Sequence, residues 1–210
     1  REAMALSVRG GCLAELGDER TARRLIARAI ELSPGPATRY LFARGQLELR
    51  LGELAVVRAT AVEIGSLALP PDNPDRTEER AAAYLEGMAL LHEGDAVRAA
   101  DRLAAAVASA GYEYAVYRLG LARAYRAAGR LPEAMSAARQ AAETVDTADP
   151  RLDLMIDRAR ARLELARVLA AMGRPDKAAA EARTFLELWH GADDGLPELA
   201  EARSLAAAAG

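Results

Sequence analysis

Six arginines stand at repeating distances from a glycine, and they carry the strongest chemistry in this sequence. Arg39 and Arg160 lie thirteen residues before Gly52 and Gly173. Arg123 and Arg167 lie six before Gly129 and Gly173, Arg126 three before Gly129, and Arg50 two before Gly52. A guanidinium is always charged and presents a rigid planar donor fork that matches a carboxylate. The same distances hold Phe42, Tyr84 and Leu119 (ten), Gln46 and Met88 (six) and His92 (two). Arginines interleaved with Phe42, Tyr84 and Met88 fit an acidic or carboxylate-bearing peptide, gripped by charge and anchored by apolar side chains. The competing reading makes arginine the default polar residue, since Lys177 is the only lysine. Its partners would then be nearby Glu and Asp on a solvated face. Spacing alone leaves both readings open.

Catalytic constellations are not visible. There is no Gly-x-x-x-x-Gly-Lys phosphate loop, no dinucleotide fingerprint and no His-Glu-x-x-His pair. His92 and His190 are far apart, and with Cys12 they make no standard zinc spacing. Cys12, beside Gly10 and Gly11, reads as a small packing residue. The pairs Glu78-Glu79 and Asp193-Asp194 read as helix N-terminal charge and loop solvation. The expectation is no enzyme, no catalytic residue, no metal and no cofactor. A net charge of −3 and a pI near 5.6 give no global basic field for nucleic acid. A lone cysteine cannot form an internal disulfide, which suits a reducing cytoplasm. No apolar run reaches the roughly 18 residues of a membrane-spanning helix, so no membrane partner is expected.

The elements that position these residues follow from glycine and proline. Gly17, Gly52, Gly94, Gly129 and Gly173 each have a small residue seven positions earlier: Gly10, Gly45, Gly87, Ala122 and Ala166. Five positions later come Ala22, Val57, Ala99, Ala134 and Ala178. Helices read outward from each glycine in pairs: about 2–16 and 19–33, 37–51 and 53–68, 77–93 and 95–109, 112–128 and 131–146, and 151–172 and 175–190. A last helix falls near 197–208. Breakers separate the pairs, at Ser33-Pro34-Gly35-Pro36, at Pro70-Pro71-Asp72-Asn73-Pro74 and at Asp149-Pro150. The glycines are 35, 42, 35 and 44 residues apart, which fits a helix-turn-helix unit of about 34 residues with two insertions. The first insertion is the Pro-rich loop, and the second is extra length in the helices flanking Asp149-Pro150. Glycine inside a helix is unfavourable by roughly 1 kcal/mol, so Gly10, Gly45 and Gly87 imply close approach of the paired helix, with Ala22 or Ala99 facing the gap.

This pattern resembles the tetratricopeptide repeat family over almost the whole chain. The resemblance is carried best by Leu121-Ala122, Tyr125, Gly129-Arg130, Glu133-Ala134 and Ala141, and next by Gly87, Gly94-Asp95, Ala99 and Ala106. Pro34 lies at that family's closing proline. Departures are Ile64 and Phe185 in place of a small residue and Glu48 in place of an aromatic.

The resemblance implies an all-α right-handed superhelix, a single domain of residues 1–210. Its units span about 2–35, 37–70, 77–110, 112–147 and 151–190, with a cap at 197–208. It also implies that the first helix of each pair lines a concave groove. The partner-binding candidates there are Arg39, Phe42, Gln46, Arg50, Tyr84, Met88, His92, Leu119, Arg123, Arg126, Arg160 and Arg167. The implied function is a protein-interaction scaffold taking a peptide or partner domain. The alternative is a segment sensing a small molecule near Tyr84, Met88, His92 and Arg123.

Some family members clamp a terminal carboxylate with asparagine and basic side chains. The corresponding inner positions here are Val8, Ala43, Leu85, Gly120 and Glu164, without asparagine, so that particular clamp is not expected. The stretch Phe185-Leu186-Glu187-Leu188-Trp189 through Glu201-Ala202-Arg203 resembles the closing segment of arrays that follow kinase or winged-helix domains in large bacterial proteins. An effector domain upstream of Arg1 is the corresponding expectation. Tyr112, Tyr114 and Tyr117 suit either packing between repeats or a stacking platform. Leu196, Leu199 and Leu205 should cover the last pair, and an incompletely covered cap would also serve a homodimer.

Overall fold

Five turns of one geometry organise the chain. Among the described residues the only positive φ angles belong to Gly17, Gly52, Gly94, Gly129 and Gly173, at 68–84°. A side chain resists this left-handed region, whereas glycine enters it freely. At the first turn the Gly17 N–H donates to the Ala14 carbonyl and the Asp18 N–H to the Leu13 carbonyl, the double closure of a Schellman motif. The same two bonds recur at Gly52, Gly94, Gly129 and Gly173. In each case the residue after the glycine is already the cap of the next helix. Asp18 and Asp95 cap with their side chains, each accepting a 3.2 Å bond, from the Thr21 and Arg98 N–H respectively. Asp95→Ala leaves the turn closed but opens that bond. It should lower stability by about 1 kcal/mol, read as a small shift of the urea midpoint without change of slope.

The computed structural model describes residues 1–35, 37–70, 73, 76–109, 115–144, 152–193 and 195–208. Its elements are α1 (Glu2–Glu15), α2 (Glu19–Glu31), α3 (Thr38–Leu51), α4 (Leu54–Ser66), α5 (Glu78–His92), α6 (Ala96–Ala108), α7 (Ala115–Ala127), α8 (Leu131–Glu143), α9 (Leu152–Ala171), α10 (Pro175–Leu188) and α11 (Pro197–Ala207). No strand occurs among the described residues. The helices pack as consecutive hairpins, α1 with α2 through α9 with α10, and α11 lies against α10 and α9. Two compact units result, Arg1–Tyr112 and Glu113–Gly210. The second insertion is absorbed by α9, which runs 20 residues, while α8 keeps 13. Asp149, Pro150, Tyr112 and Tyr114 lie outside the described residues.

The small-residue frame is the contact surface of the hairpins. Ala22, Val57, Ala99 and Ala134 are fully buried, as are Ala122 and Ala166. What presses on the helix glycines differs from expectation. A Cβ on Gly10 would lie 2.8 Å from Ile26 Cγ1 and 3.2 Å from the Ala22 carbonyl oxygen. One on Gly87 would lie 2.6 Å from Leu103 Cγ. Ile26 and Leu103 both stand nine residues past the turn, so a large residue fills the gap, joined at Gly10 by the Ala22 carbonyl. In the second hairpin that position is Ala61. The space over Gly45 is taken instead by Leu85 of α5, from the following hairpin, 2.5 Å from where a Cβ would sit.

Candidate partner-binding surface

In the N-terminal unit the first helices α1, α3 and α5 lie side by side, α1 touching α3 and α3 touching α5. Seven of the candidate residues lie on α3 and α5. Arg50 forms an ion pair with Glu15 of α1. Arg39 is exposed, with Nη1 3.2 Å from the Met4 sulfur. Gln46 is half-buried and His92 is exposed in the last turn of α5. Phe42 is half-buried, its ring centroid 5.4 Å from that of Tyr84. Tyr84 and Met88 are only 4% and 6% exposed, so their area is consumed in packing α5. Two further polar groups hold this unit together from within. Glu78 accepts a 2.9 Å bond from Thr38 Oγ1, and Arg80 donates to the Val107 and Ser109 carbonyls at the C-terminal end of α6.

In the C-terminal unit the corresponding helices are α7, α9 and α11. Leu119 is buried against Ala141, Ala142 and Ala161. The arginines form a chain of ion pairs across the three helices. Glu164 of α9, fully buried, accepts from Arg126 of α7 and from Arg167 Nη1 at 3.0 Å. Arg167 then donates from Nε and Nη2 to both oxygens of Glu201 on α11, at 2.8 and 2.6 Å. Arg160 lies 3.5 Å from Glu198 and 5.8 Å from the Trp189 ring centroid. The hydrogen bonds from Arg167 hold the Glu201 carboxyl below its ordinary range, and Glu201 in turn raises the Arg167 guanidinium. Both stay charged at neutral pH.

Arg123 is the exception. It is half-buried, and among the described residues it has no ion pair and no hydrogen bond. It occupies the same distance from its turn glycine as Arg167 does. Where Arg167 has Glu164 one turn earlier, however, Arg123 has Gly120. The guanidinium therefore lacks the internal carboxylate that its counterpart possesses.

Glu164 is the residue whose importance spacing understated. It stands nine residues before Gly173, an inner position whose counterparts are Val8, Ala43, Leu85 and Gly120. A readable signal existed: Arg50 and Glu15 are 35 residues apart, Arg126 and Glu164 38, and Arg167 and Glu201 34. Opposite charges one repeat apart on first helices meet across the hairpin stack. Glu48 shows the same compensation. Standing where an aromatic was expected, it is buried and accepts from Arg23 Nε at 3.0 Å. Phe185 and Ile64, both fully buried, are core residues. Cys12 is half-buried, Tyr117 is buried, and no cluster of His, Cys, Asp and Glu able to hold a metal occurs among the described residues. No helix among them is long and apolar enough to cross a membrane.

Consecutive helix hairpins closed by glycine turns and framed by small residues, with first helices side by side within each unit, define a tetratricopeptide-type fold. The structure is similar to the crystal structure of TTC0263, described as a thermophilic TPR protein in Thermus thermophilus. The TM-score is 0.69 at 20% identity, covering 97% of this chain and 98% of that one. It is also similar to MamA 41-end from Desulfovibrio magneticus RS-1, with a TM-score of 0.50 at 18% identity over 92% and 98% of the two chains. The MamA RS-1 ArsTM double mutant gives 0.50 at 19%, over 92% and 97%. No protein-family model and no curated protein matches the sequence.

Proposed function

We propose that this chain is a protein-interaction module, and that the first-helix face of its C-terminal unit takes an acidic segment of a protein partner at Arg123. The observation that carries this reading is the contrast within one face. Arg126, Arg160 and Arg167 each hold a glutamate of the chain itself, whereas Arg123 holds none among the described residues. A half-buried guanidinium without a carboxylate is a site where an incoming anion gains a charge-assisted bond against little competing water. The fold supports the reading in general terms, since stacked hairpins present long surfaces to partners. Arg39, Arg50 and His92 are the exposed candidates of the N-terminal unit, and Gln46 is half-buried.

The test is binding of a fluorescein-labelled, N-acetylated oligoglutamate peptide, followed by anisotropy. A charge-assisted hydrogen bond contributes about 1.5–3 kcal/mol, so Arg123→Glu should weaken binding roughly tenfold or more. Arg126 is unsuitable for the same experiment, because its replacement strips a partner from buried Glu164. Unchanged affinity in Arg123→Glu would sink the assignment.

A further inference from the structure

We infer that α11 is a displaceable latch over this face, with Glu198 and Glu201 occupying guanidinia for which an acidic partner competes. The inference rests on the acidic-partner reading above and specifies how that site is regulated.

Arg167 uses Nη1 for Glu164 on its own helix and turns its Nε/Nη2 edge to Glu201. That edge is the one that grips a carboxylate bidentately. Arg160 is held by Glu198. Two of the four candidate arginines on this face thus hold a glutamate of the last helix.

The two classes of carboxylate differ in what holds them. Glu164 is fully buried on α9 and cannot leave without unfolding the helix pair. Glu198 and Glu201 keep 26% and 41% of their side-chain exposure, so water and competing anions reach both pairs. The rest of the hold on α11 includes a small apolar cluster and the 3.2 Å bond that Arg183 Nη2 donates to the Ala206 carbonyl. Leu199 and Ala202 are its buried residues, packed with Phe185, Leu163 and Ala159 and flanked by half-buried Leu196 and Leu205.

The helix itself is easily given up. At 11 residues it is shorter than the roughly 12–15 needed for an isolated helix to persist in water, so release and unwinding go together. It is joined to α10 through a segment containing Gly191 and Gly195, where a Cβ would meet nothing within 4 Å. The packed contacts that a swing must break there are those of half-buried Trp189, Ala192 and Leu196 against the cluster around Phe185. An acidic segment arriving at Arg123 meets Arg167 on the neighbouring helix α9 and can take its outer fork in place of Glu201.

The experiment combines hydrogen exchange with the oligoglutamate probe, on wild type and on the isosteric variant E198Q/E201Q. In wild type the probe should raise exchange of the α11 amides about fivefold or more while α9 and α10 stay protected. E198Q/E201Q should show loosened α11 without probe and bind the probe about tenfold more tightly. Probe binding that leaves α11 protection unchanged overturns the latch alone. So does an α11 loosened by E198Q/E201Q with no gain in affinity. Absence of probe binding by both proteins overturns the acidic-partner reading, and the competition with it. Far-UV circular dichroism of the variant verifies that the other helices persist.

Discussion

Replacing Gly87 with leucine is expected to destabilise the protein by about 3 kcal/mol or more, a large share of the roughly 5–15 kcal/mol that holds a domain folded. Helix propensity argues the opposite way, since removing an internal glycine should stabilise α5 by roughly 1 kcal/mol. Geometry decides the sign. A single Cβ at this position sits 2.6 Å from Leu103 Cγ and 3.3 Å from the Leu103 backbone nitrogen. The obstacle is a branch point and a main chain, not a flexible tip. Leu103 is itself fully buried and has nowhere to retreat. Gly87→Ala should therefore already be destabilising by about 1–2 kcal/mol, and each added carbon of leucine forces α5 and α6 further apart. Gly11→Ala is the matched control. No atom lies within 4 Å of its Cβ, so propensity acts alone and the substitution should stabilise by up to about 1 kcal/mol. Urea denaturation of the three variants checks the ordering. Gly87→Ala matching or exceeding wild type would show that the hairpin yields at this contact.

These glycines also show why the architecture could be read and the face could not. A turn that requires positive φ leaves a residue-type signature, and Gly17, Gly52, Gly94, Gly129 and Gly173 display it at one repeat spacing. The frame at seven before and five after follows from helix periodicity within a single hairpin. Burial on the first helices obeys no such local rule. In α5 every residue from Arg80 through Leu85 is buried, as are Gly87, Met88 and Ala89. A helix covered on several sides has no apolar stripe to contrast with a polar one. Tyr84 looks like a surface anchor by spacing although Phe42 of the preceding hairpin packs on it, and Leu119 is closed over by Ala161 of the following hairpin as well as by Ala141 and Ala142 of its own. Leu85 over Gly45 is the same effect seen from the opposite side: the sequence of the second hairpin alone does not supply its own filler.

The arginines fail to declare themselves for an electrostatic reason. Spacing marks their position on the helix but not whether a carboxylate one repeat away will reach them. Arg126 and Arg123, three residues apart on α7, differ only through Glu164, which stands 38 residues beyond Arg126. Counting arginines therefore overstates the charge available to a partner. Of the candidates Arg123, Arg126, Arg160 and Arg167, the one that lacks an internal glutamate among the described residues is Arg123.

Glu164 should accordingly move stability and binding in opposite directions. It is fully buried and accepts from Arg126 Nε and from Arg167 Nη1. Removing one member of a buried pair typically costs about 3–5 kcal/mol because the other charge is stranded. Here the stranded groups retain 36% and 23% side-chain exposure, and Arg167 keeps Glu201, so part of that loss is recovered by hydration. Glu164→Ala should then destabilise by about 2–3 kcal/mol, including the cavity left in α9. Glu164→Gln keeps the volume and one acceptor oxygen but sets an amide donor against a guanidinium, and should lie between Ala and wild type. A double-mutant cycle with Arg126→Ala should return a coupling of about 1–3 kcal/mol, read from urea denaturation. Additive losses would mean that the pair contributes nothing beyond its separate packing. Binding responds with the other sign. Glu164→Gln removes the internal competitor for Arg126 and Arg167, adding two partly liberated guanidinia beside Arg123. Its affinity for the oligoglutamate probe should rise by about tenfold, even as the fold weakens. A residue that only supported the scaffold would lose affinity along with stability, so an increase from a less stable protein separates the two roles.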